Sequence, residues 1–316
     1  MKKILVIGGA GYIGSHVAKE FLNKGYDLRI YDKLSTGQRV NVFSNSEFIE
    51  GDILDYSFLV KSMEGIDGVV HLAAKKAVGE SMENPDIYST NNIIGSLNIL
   101  RAMVEVGIKA MVFSSSAAVY GDPQYLPLDE KHPTGPVSYY GFTKLEIEKF
   151  MNWYDSLKGI KYMALRYFNA VGYDADGAIK GREKNPQNLL PIVMEVLEGQ
   201  RECLNVWGSD YDTPDGTCIR DYVHVSDLAT AHVMAMENLF NGGKSQVINL
   251  GSGVGTSVKE VITAVENISG KKLLVKYADR RTGDPAALYA KCDMAKKVLG
   301  WEAKYTNIED IMRTYF

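Results

Sequence analysis

Residues 4–25, ILVIGGAGYIGSHVAKEFLNKG, confine the chain to few architectures. ILVIG (4–8) reads as a strand with apolar side chains on both faces, so both faces must be covered. Glycines break it, and HVAKEFLNKG (16–25) reads as a helix that Gly25 ends. DLRIYD (27–32) then reads as a second strand. Two strands joined by one helix in so short a span form a parallel pair with a right-handed crossover. The pattern recurs: GVVHLAA (68–74), KAMVFSSS (109–116) and KYMALRYFN (161–169) predict strands, while NNIIGSLNILRAMVEVG (91–107) and the stretch opening at SYYGFTK (138–144) predict helices. Such alternation predicts an α/β fold, a Rossmann-type doubly wound parallel sheet.

The pattern loosens after residue 170. Residues 171–187 are rich in Gly, Asp, Lys and Asn, a helix is expected near 188–199, and WGSDYDTPDGT (207–217) reads as loop. DYVHVSDLATAHVMAMENL (221–239) and QVINLG (246–251) read as elements returning to the sheet. The expected organisation is a dinucleotide-holding domain over 1–170, with returning elements near 221–251, and a smaller, discontinuous C-terminal lobe over 171–316.

Composition excludes several functions. The 316 residues are 46% hydrophobic and 23% charged with net charge −4, so no overall positive field attracts nucleic acid or an anionic membrane. Three scattered cysteines (Cys203, Cys218, Cys292) argue against a disulfide framework, and the five histidines lack metal-ligand spacing. The apolar start is too short for a signal peptide or a membrane span, so a cytoplasmic location is expected.

GGAGYIG (8–14) lies between a strand and a helix. Its glycines permit a tight turn and let a pyrophosphate approach the helix N-terminus, where free N–H groups and the dipole attract anions. Glycine-rich turns also arise for steric reasons alone, so the context matters: Asp32 ends the second strand 18 residues after Gly14. A carboxylate there accepts hydrogen bonds from ribose hydroxyls and repels a 2′-phosphate, which favours NAD over NADP. Lys33 beside it blurs that preference.

SYYGFTK places two tyrosines before a lysine. A helix turns about 100° per residue, so positions four apart share a face within about 40° while positions five apart diverge. Tyr140 is therefore in register with Lys144, and Tyr139 is not. FSSSAAVYG (113–121) ends a strand whose carboxyl end is where ligands bind in such sheets. Taking a proton from a sugar hydroxyl while its carbon loses hydride needs a base titrating near neutrality, and a free phenol titrates near 10. A nearby ammonium lowers that value, so Lys144 is expected to favour the Tyr140 phenolate, with Ser116 bonded to the reacting oxygen. A surface helix pair and a serine-capped turn are the plain structural alternatives.

The glycine turn, SSS…VYG and Y-x-x-x-K together resemble the extended short-chain dehydrogenase/reductase superfamily. AAKKAVGES (73–81), YSTNNIIGS (88–96), LRYFNAVG (165–172), GTCIRDYVHVSDLA (216–229) and YADRRTGDPA (277–286) resemble its UDP-glucose 4-epimerase family, in order, over nearly the whole chain. The resemblance implies that Tyr140 is the base, Lys144 its partner and Ser116 the active-site hydroxyl. It implies NAD contacts by Gly8, Gly11, Tyr12, Ile13, Gly14, Asp32, Asp52, Ile53, Ala73, Lys76, Asn92, Ser114 and Tyr167, together with Tyr140 and Lys144. On the UDP-hexose side it implies Asn169, Asn188, Leu189, Trp207, Arg220, Arg281 and Asp284, besides Ser116 and Tyr140. Two arginines suit a diphosphate, although each alone reads more readily as a structural ion-pair partner. No metal is implied, and a homodimer through the helices near 91–107 and 140–157 is. Ile7 departs from a small polar residue common before the first glycine, and Leu288 stands where residue size varies beside the hexose, which leaves N-acetylated sugars and pentoses open.

The implied reaction interconverts UDP-galactose and UDP-glucose by reversible hydride transfer from C4 to NAD through a 4-keto sugar. A UDP-N-acetylglucosamine 4-epimerase is the nearest alternative. A 4,6-dehydratase or decarboxylase of the same fold needs an extra acid or base after the serine strand, where this chain has Ala117 and Ala118. A non-catalytic nucleotide sensor would not need Tyr140 and Lys144 together.

Overall fold

The computed structural model describes residues 1–183, 186, 188–281 and 284–316. The first half runs β1 (Lys3–Ile7), α1 (Tyr12–Asn23), β2 (Asp27–Asp32), β3 (Glu47–Glu50), α2 (Tyr56–Ser62) and β4 (Gly68–His71). Two short helices, α3 (Val78–Glu83) and α4 (Pro85–Tyr88), lead through a π-helical turn at Ser89–Ile94 into α5 (Gly95–Val106). Then come β5 (Ala110–Ser116), α6 (Tyr139–Lys158) and β6 (Lys161–Tyr167). The second half runs β7 (Asn169–Val171), α7 (Leu189–Leu197), β8 (Leu204–Trp207), β9 (Ile219–His224), α8 (Val225–Phe240) and β10 (Gln246–Leu250). It ends with β11 (Gly255–Ser257), α9 (Val258–Ser269), β12 (Val275–Ala278), β13 (Ala287–Leu288), α10 (Asp293–Leu299) and α11 (Ile308–Arg313).

Seven strands form one parallel sheet in the order β3-β2-β1-β4-β5-β6-β10. Strand side chains alternate between faces, so each strand feeds two cores. Ile4 and Val6 of β1 join Val17 and Phe21 of α1 and Leu228 and Met236 of α8 on one face. Leu5 and Ile7 join Ile99 and Met103 of α5 and Ile147 and Met151 of α6 on the other. The strand order reverses between β1 and β4, which opens a crevice at their carboxyl ends.

The smaller lobe is built on β9, which pairs β7, β11 and β13, and on the pair β8/β12. Residues 219–224 thus join this second sheet, whereas α8 and β10 return to the large one. Asp221 is the joint. Its buried carboxylate accepts from Ser252 N (2.7 Å), Ser252 Oγ (2.8 Å), Ala290 N (3.0 Å) and Gly253 N (3.1 Å). Its carbonyl accepts from Asn169 Nδ2 at 2.9 Å.

Asp221→Ala strips an acceptor from four donors at once, and each hydrogen bond to a charged group contributes about 1.5–3 kcal/mol. The expected loss is roughly 3 kcal/mol after local relaxation, read as a lowered urea midpoint. A midpoint equal to that of the unsubstituted protein would show that this joint carries no stability.

Candidate active site

The glycine turn and α1 are welded together. A Cβ on Gly14 would lie 2.0 Å from the Gly8 carbonyl oxygen, and one on Gly8, at φ +86°, would lie 2.7 Å from Ala73 N. Only glycines let the first turn of α1 sit on the end of β1. Gly11 and its neighbours leave that helix start without a side-chain cap, so its N–H groups are available to an anion. Asp32 closes β2, and its carboxylate accepts from Leu34 N (2.8 Å) and Ala10 N (3.0 Å). Burial pushes its pKa up while those bonds hold it down, and each oxygen keeps a lone pair for a further donor. Lys33 is turned to Asp52 at 3.1 Å. Asp52 Oδ1 also accepts from Leu54 N at 3.0 Å, and Ile53 packs where a Cβ on Gly95 would meet its Cδ1 at 2.4 Å.

Ala73 N bonds Ile7 O at 3.1 Å, and Ile13 lies in the first turn of α1. Asn92 is wholly buried, with its amide spent on Lys75 N (2.8 Å), Lys75 O (3.0 Å) and Thr143 Oγ1 (3.2 Å). It braces the segment after β4 against α6.

A feature absent from the sequence reading crosses this crevice. Residues 172–183 form a strap from the second lobe, tied at several points to the nucleotide side. The Tyr12 hydroxyl donates to Gly172 O and its ring stacks on Tyr173 at 6.3 Å. Lys19 pairs with Asp174 and Asp176, Asn41 Oδ1 accepts from Gly181 N at 2.7 Å, and Lys76 pairs with Glu183. These partners stand more than a hundred residues apart, and no short motif announces them.

At the other end, Ser138 caps α6 by accepting from Gly141 N at 3.1 Å. A Cβ on Gly141 would lie 2.3 Å from Ala118 O, so glycine alone lets α6 land on the turn behind Ser116. Ser81 Oγ accepts from Tyr140 N at 3.1 Å and seats the base. The Tyr139 hydroxyl instead meets Ser89 Oγ at 2.6 Å and its ring packs on Phe142. The register that separates the two tyrosines is thus realised.

Lys144 is 2% exposed, and its Nζ donates to Ser114 O at 2.7 Å. That nitrogen lies 5.7 Å from the Tyr140 ring centroid. The Ser116 hydroxyl accepts from Ala118 N at 3.2 Å and acts to lower the pKa of the Tyr140 phenol, so the capping and the site roles coexist. Ser114 Oγ bonds the Tyr167 hydroxyl. Burial pushes Tyr140 up to about 12, opposed by Ser116, and pushes Lys144 down to about 7, opposed by Glu148. Desolvation disfavours both charged forms, and so acts against the lowering of the phenol expected from a nearby ammonium.

On the sugar side, Arg220 pairs with Asp284 at 2.7 Å and donates to Pro285 O at 2.9 Å. Arg281 lies over the Trp207 ring at 4.8 Å. Asn188 precedes α7 without capping it, and Leu189 is that helix's first residue. Asn169 is bound to Asp221, and Leu288 of β13 is the register partner of Arg220. Among the described residues no group of His, Cys, Asp and Glu is arranged to hold a metal ion.

The fold is shared with known proteins. The chain is 45% identical over 314 residues to UDP-glucose 4-epimerase of Lacticaseibacillus casei, which covers 98% of this chain and 95% of that one. Among solved structures, UDP-glucose 4-epimerase from Brucella ovis in complex with NAD superposes with TM-score 0.97 at 43% identity, over 99% of this chain and 97% of that one. The enzyme from Bifidobacterium longum in complex with NAD+ and UDP gives 0.92 at 38% identity, over 99% and 96%. The profile of the NAD dependent epimerase/dehydratase family matches residues 4–251, and the chain belongs to that family.

Proposed function

We infer that the chain is a UDP-glucose 4-epimerase that interconverts UDP-galactose and UDP-glucose. The observation that carries this reading is the convergence of Tyr140, Lys144 and Ser116 at the sheet edge, followed by Ala117 and Ala118 rather than a carboxylate. That arrangement can move one hydroxyl proton and has no second acid for elimination.

The residues present fit NAD: a glycine cradle that a Cβ would fill, an uncapped helix start, and a carboxylate with free lone pairs at the end of β2. Gly8, Gly11, Tyr12, Ile13, Gly14, Asp32, Asp52, Ile53, Ala73, Lys76, Ser114 and Tyr167 would hold it, with Asn92 acting through Lys75. NAD, when bound, would supply a reversible hydride acceptor for C4 of the sugar. Tyr140 takes and gives back the C4 hydroxyl proton, Ser116 fixes that oxygen, and Lys144 offers its unused N–H groups to the ribose and, when protonated, favours the phenolate. Arg220, Arg281, Asp284, Asn169, Asn188, Leu189 and Trp207 hold the UDP-hexose. Residues 1–170 with α8 and β10 carry the dinucleotide, and the rest of 171–316 carries most of the sugar nucleotide. Leu288 is intermediate in size, so a UDP-N-acetylhexose is the second substrate class worth assaying.

A cytoplasmic homodimer is part of the same reading. Trp153 and Leu157 of α6, one turn apart, are 62% and 69% exposed, an apolar pair suited to a second copy. Trp153→Glu/Leu157→Glu is expected to halve the sedimenting mass; a wild-type protein that already sediments as a monomer would remove the dimer from the reading.

Purified protein should convert UDP-galactose to UDP-glucose, and no conversion even with NAD supplied would sink the assignment. Tyr140→Phe should cut turnover by about 10²–10⁴ while UDP-hexose binding persists, as expected for loss of a general base. Tyr139→Phe, which removes only the bond to Ser89, should change turnover little; the reverse ranking would mean the base has been misassigned.

A further inference from the structure

α6 meets the central sheet through Tyr140, Lys144 and Glu148, spaced four apart and so stacked along one face. Each engages one of three consecutive serines. Tyr140 feels the Ser116 hydroxyl, which lowers its pKa, Lys144 donates to the Ser114 carbonyl, and Glu148 Oε1 accepts from the Ser115 hydroxyl. Glu148 has a second partner: Arg166, which faces Ser115 across the β5/β6 register, donates from Nε at 2.9 Å to the same carboxylate and from Nη2 to its other oxygen. Glu148, Ser115 and Arg166 are all buried, and the Arg166 guanidinium lies 4.8 Å from the Tyr120 ring centroid.

The same carboxylate faces Lys144. The titratable groups around that amine are Tyr140 one turn before it, Glu148 one turn after it, and His71 of β4, which burial holds neutral with a pKa of about 3. Its hydrogen-bond acceptor, Ser114 O, is uncharged. The negative charge that opposes desolvation of the amine therefore comes from Glu148.

We propose that Glu148 is a positioning residue for catalysis: clamped by Ser115 and Arg166, it fixes the register of α6 on β5 and keeps Lys144 charged beside Tyr140. The proposal rests on the reading of Tyr140 and Lys144 as base and partner. It differs from a purely structural ion pair in a testable way. A buried ion pair can often be exchanged for neutral groups of similar volume with little or no loss of stability. If Glu148 only holds the fold, a neutral replacement pair should then be silent in catalysis.

The test compares the wild-type holoenzyme with E148Q and E148Q/R166M, measuring NAD stoichiometry, urea midpoint, and kcat and KM against pH. E148Q strands the Arg166 charge and should lower the midpoint; the double variant should recover it. In the double variant kcat should remain about 10–100-fold down, as for a misplaced catalytic group, with NAD still bound and KM for the UDP-hexose little changed. Because Lys144 titrates below Tyr140, the double variant's pH profile should widen on both sides while its plateau falls. Without the Glu148 anion Lys144 sheds its proton at lower pH, and with less ammonium nearby Tyr140 sheds its proton at higher pH. A folded, NAD-loaded double variant with wild-type kcat and unmoved limbs overturns the proposal, as does a kcat loss with both limbs in place. A wild-type protein that interconverts no UDP-hexose would instead overturn the functional reading beneath it.

Discussion

A helix start pressed onto a strand end, with no side chain between them, governs this molecule. Gly141 lets α6 approach the turn after β5 to a distance that any Cβ would forbid. That approach brings the Tyr140 phenol to Ser116 and buries the Lys144 amine against Ser114 O. Burial then sets the chemistry, because removing water raises the phenol and lowers the ammonium together. Close packing, proton affinity and reach toward a ligand are consequences of one contact.

The second lobe is attached to this arrangement at two places of different character. Asp221 fastens β9 to the loop after β10 and to Ala290 through four donors around a buried charge. The strap over residues 172–183 is held instead by hydrogen bonds and ion pairs to α1, to Asn41 and to Lys76. Asp176 and Lys76 are exposed, where an ion pair contributes roughly 0–1 kcal/mol, while the Lys19–Asp174 pair and the Asn41 bond lie largely buried.

Much of the fold could be read from residue patterns because a doubly covered parallel sheet demands apolar runs, and these stand at 4–8, 27–32, 68–74, 109–116 and 161–169. Helical register also chose Tyr140 over Tyr139, since side-chain direction on a helix is a local property. α1 begins at Tyr12, earlier than His16, because the glycine motif is itself the first turn of the helix. β9 joins the second sheet because its partners β7, β11 and β13 lie far away in sequence, where periodicity is silent. Asn92 stands in a stretch that resembles ligand-contact motifs, and its amide also bonds Lys75 and Thr143, ties that only three-dimensional bonding reveals. The charge states were not legible for the same reason: spacing brought Lys144 beside Tyr140, but the desolvation that opposes both charged forms depends on how much water remains.

That dependence has chemical content. A permanently charged ammonium in this cavity would bear a desolvation cost that Glu148 offsets only in part. A pKa of about 7 leaves the amine near the midpoint of its titration, so modest changes in nearby charge shift its population strongly. Tyr140 at about 12 keeps its proton until such a change arrives. Glu148 sits at the junction of these demands. Its own charge is stabilised by Arg166 and Ser115, which lets it act on Lys144 without competing for the amine's hydrogen bonds. The resting site stores little charge of its own, and its proton-transfer groups remain sensitive to whatever positive charge is brought beside them.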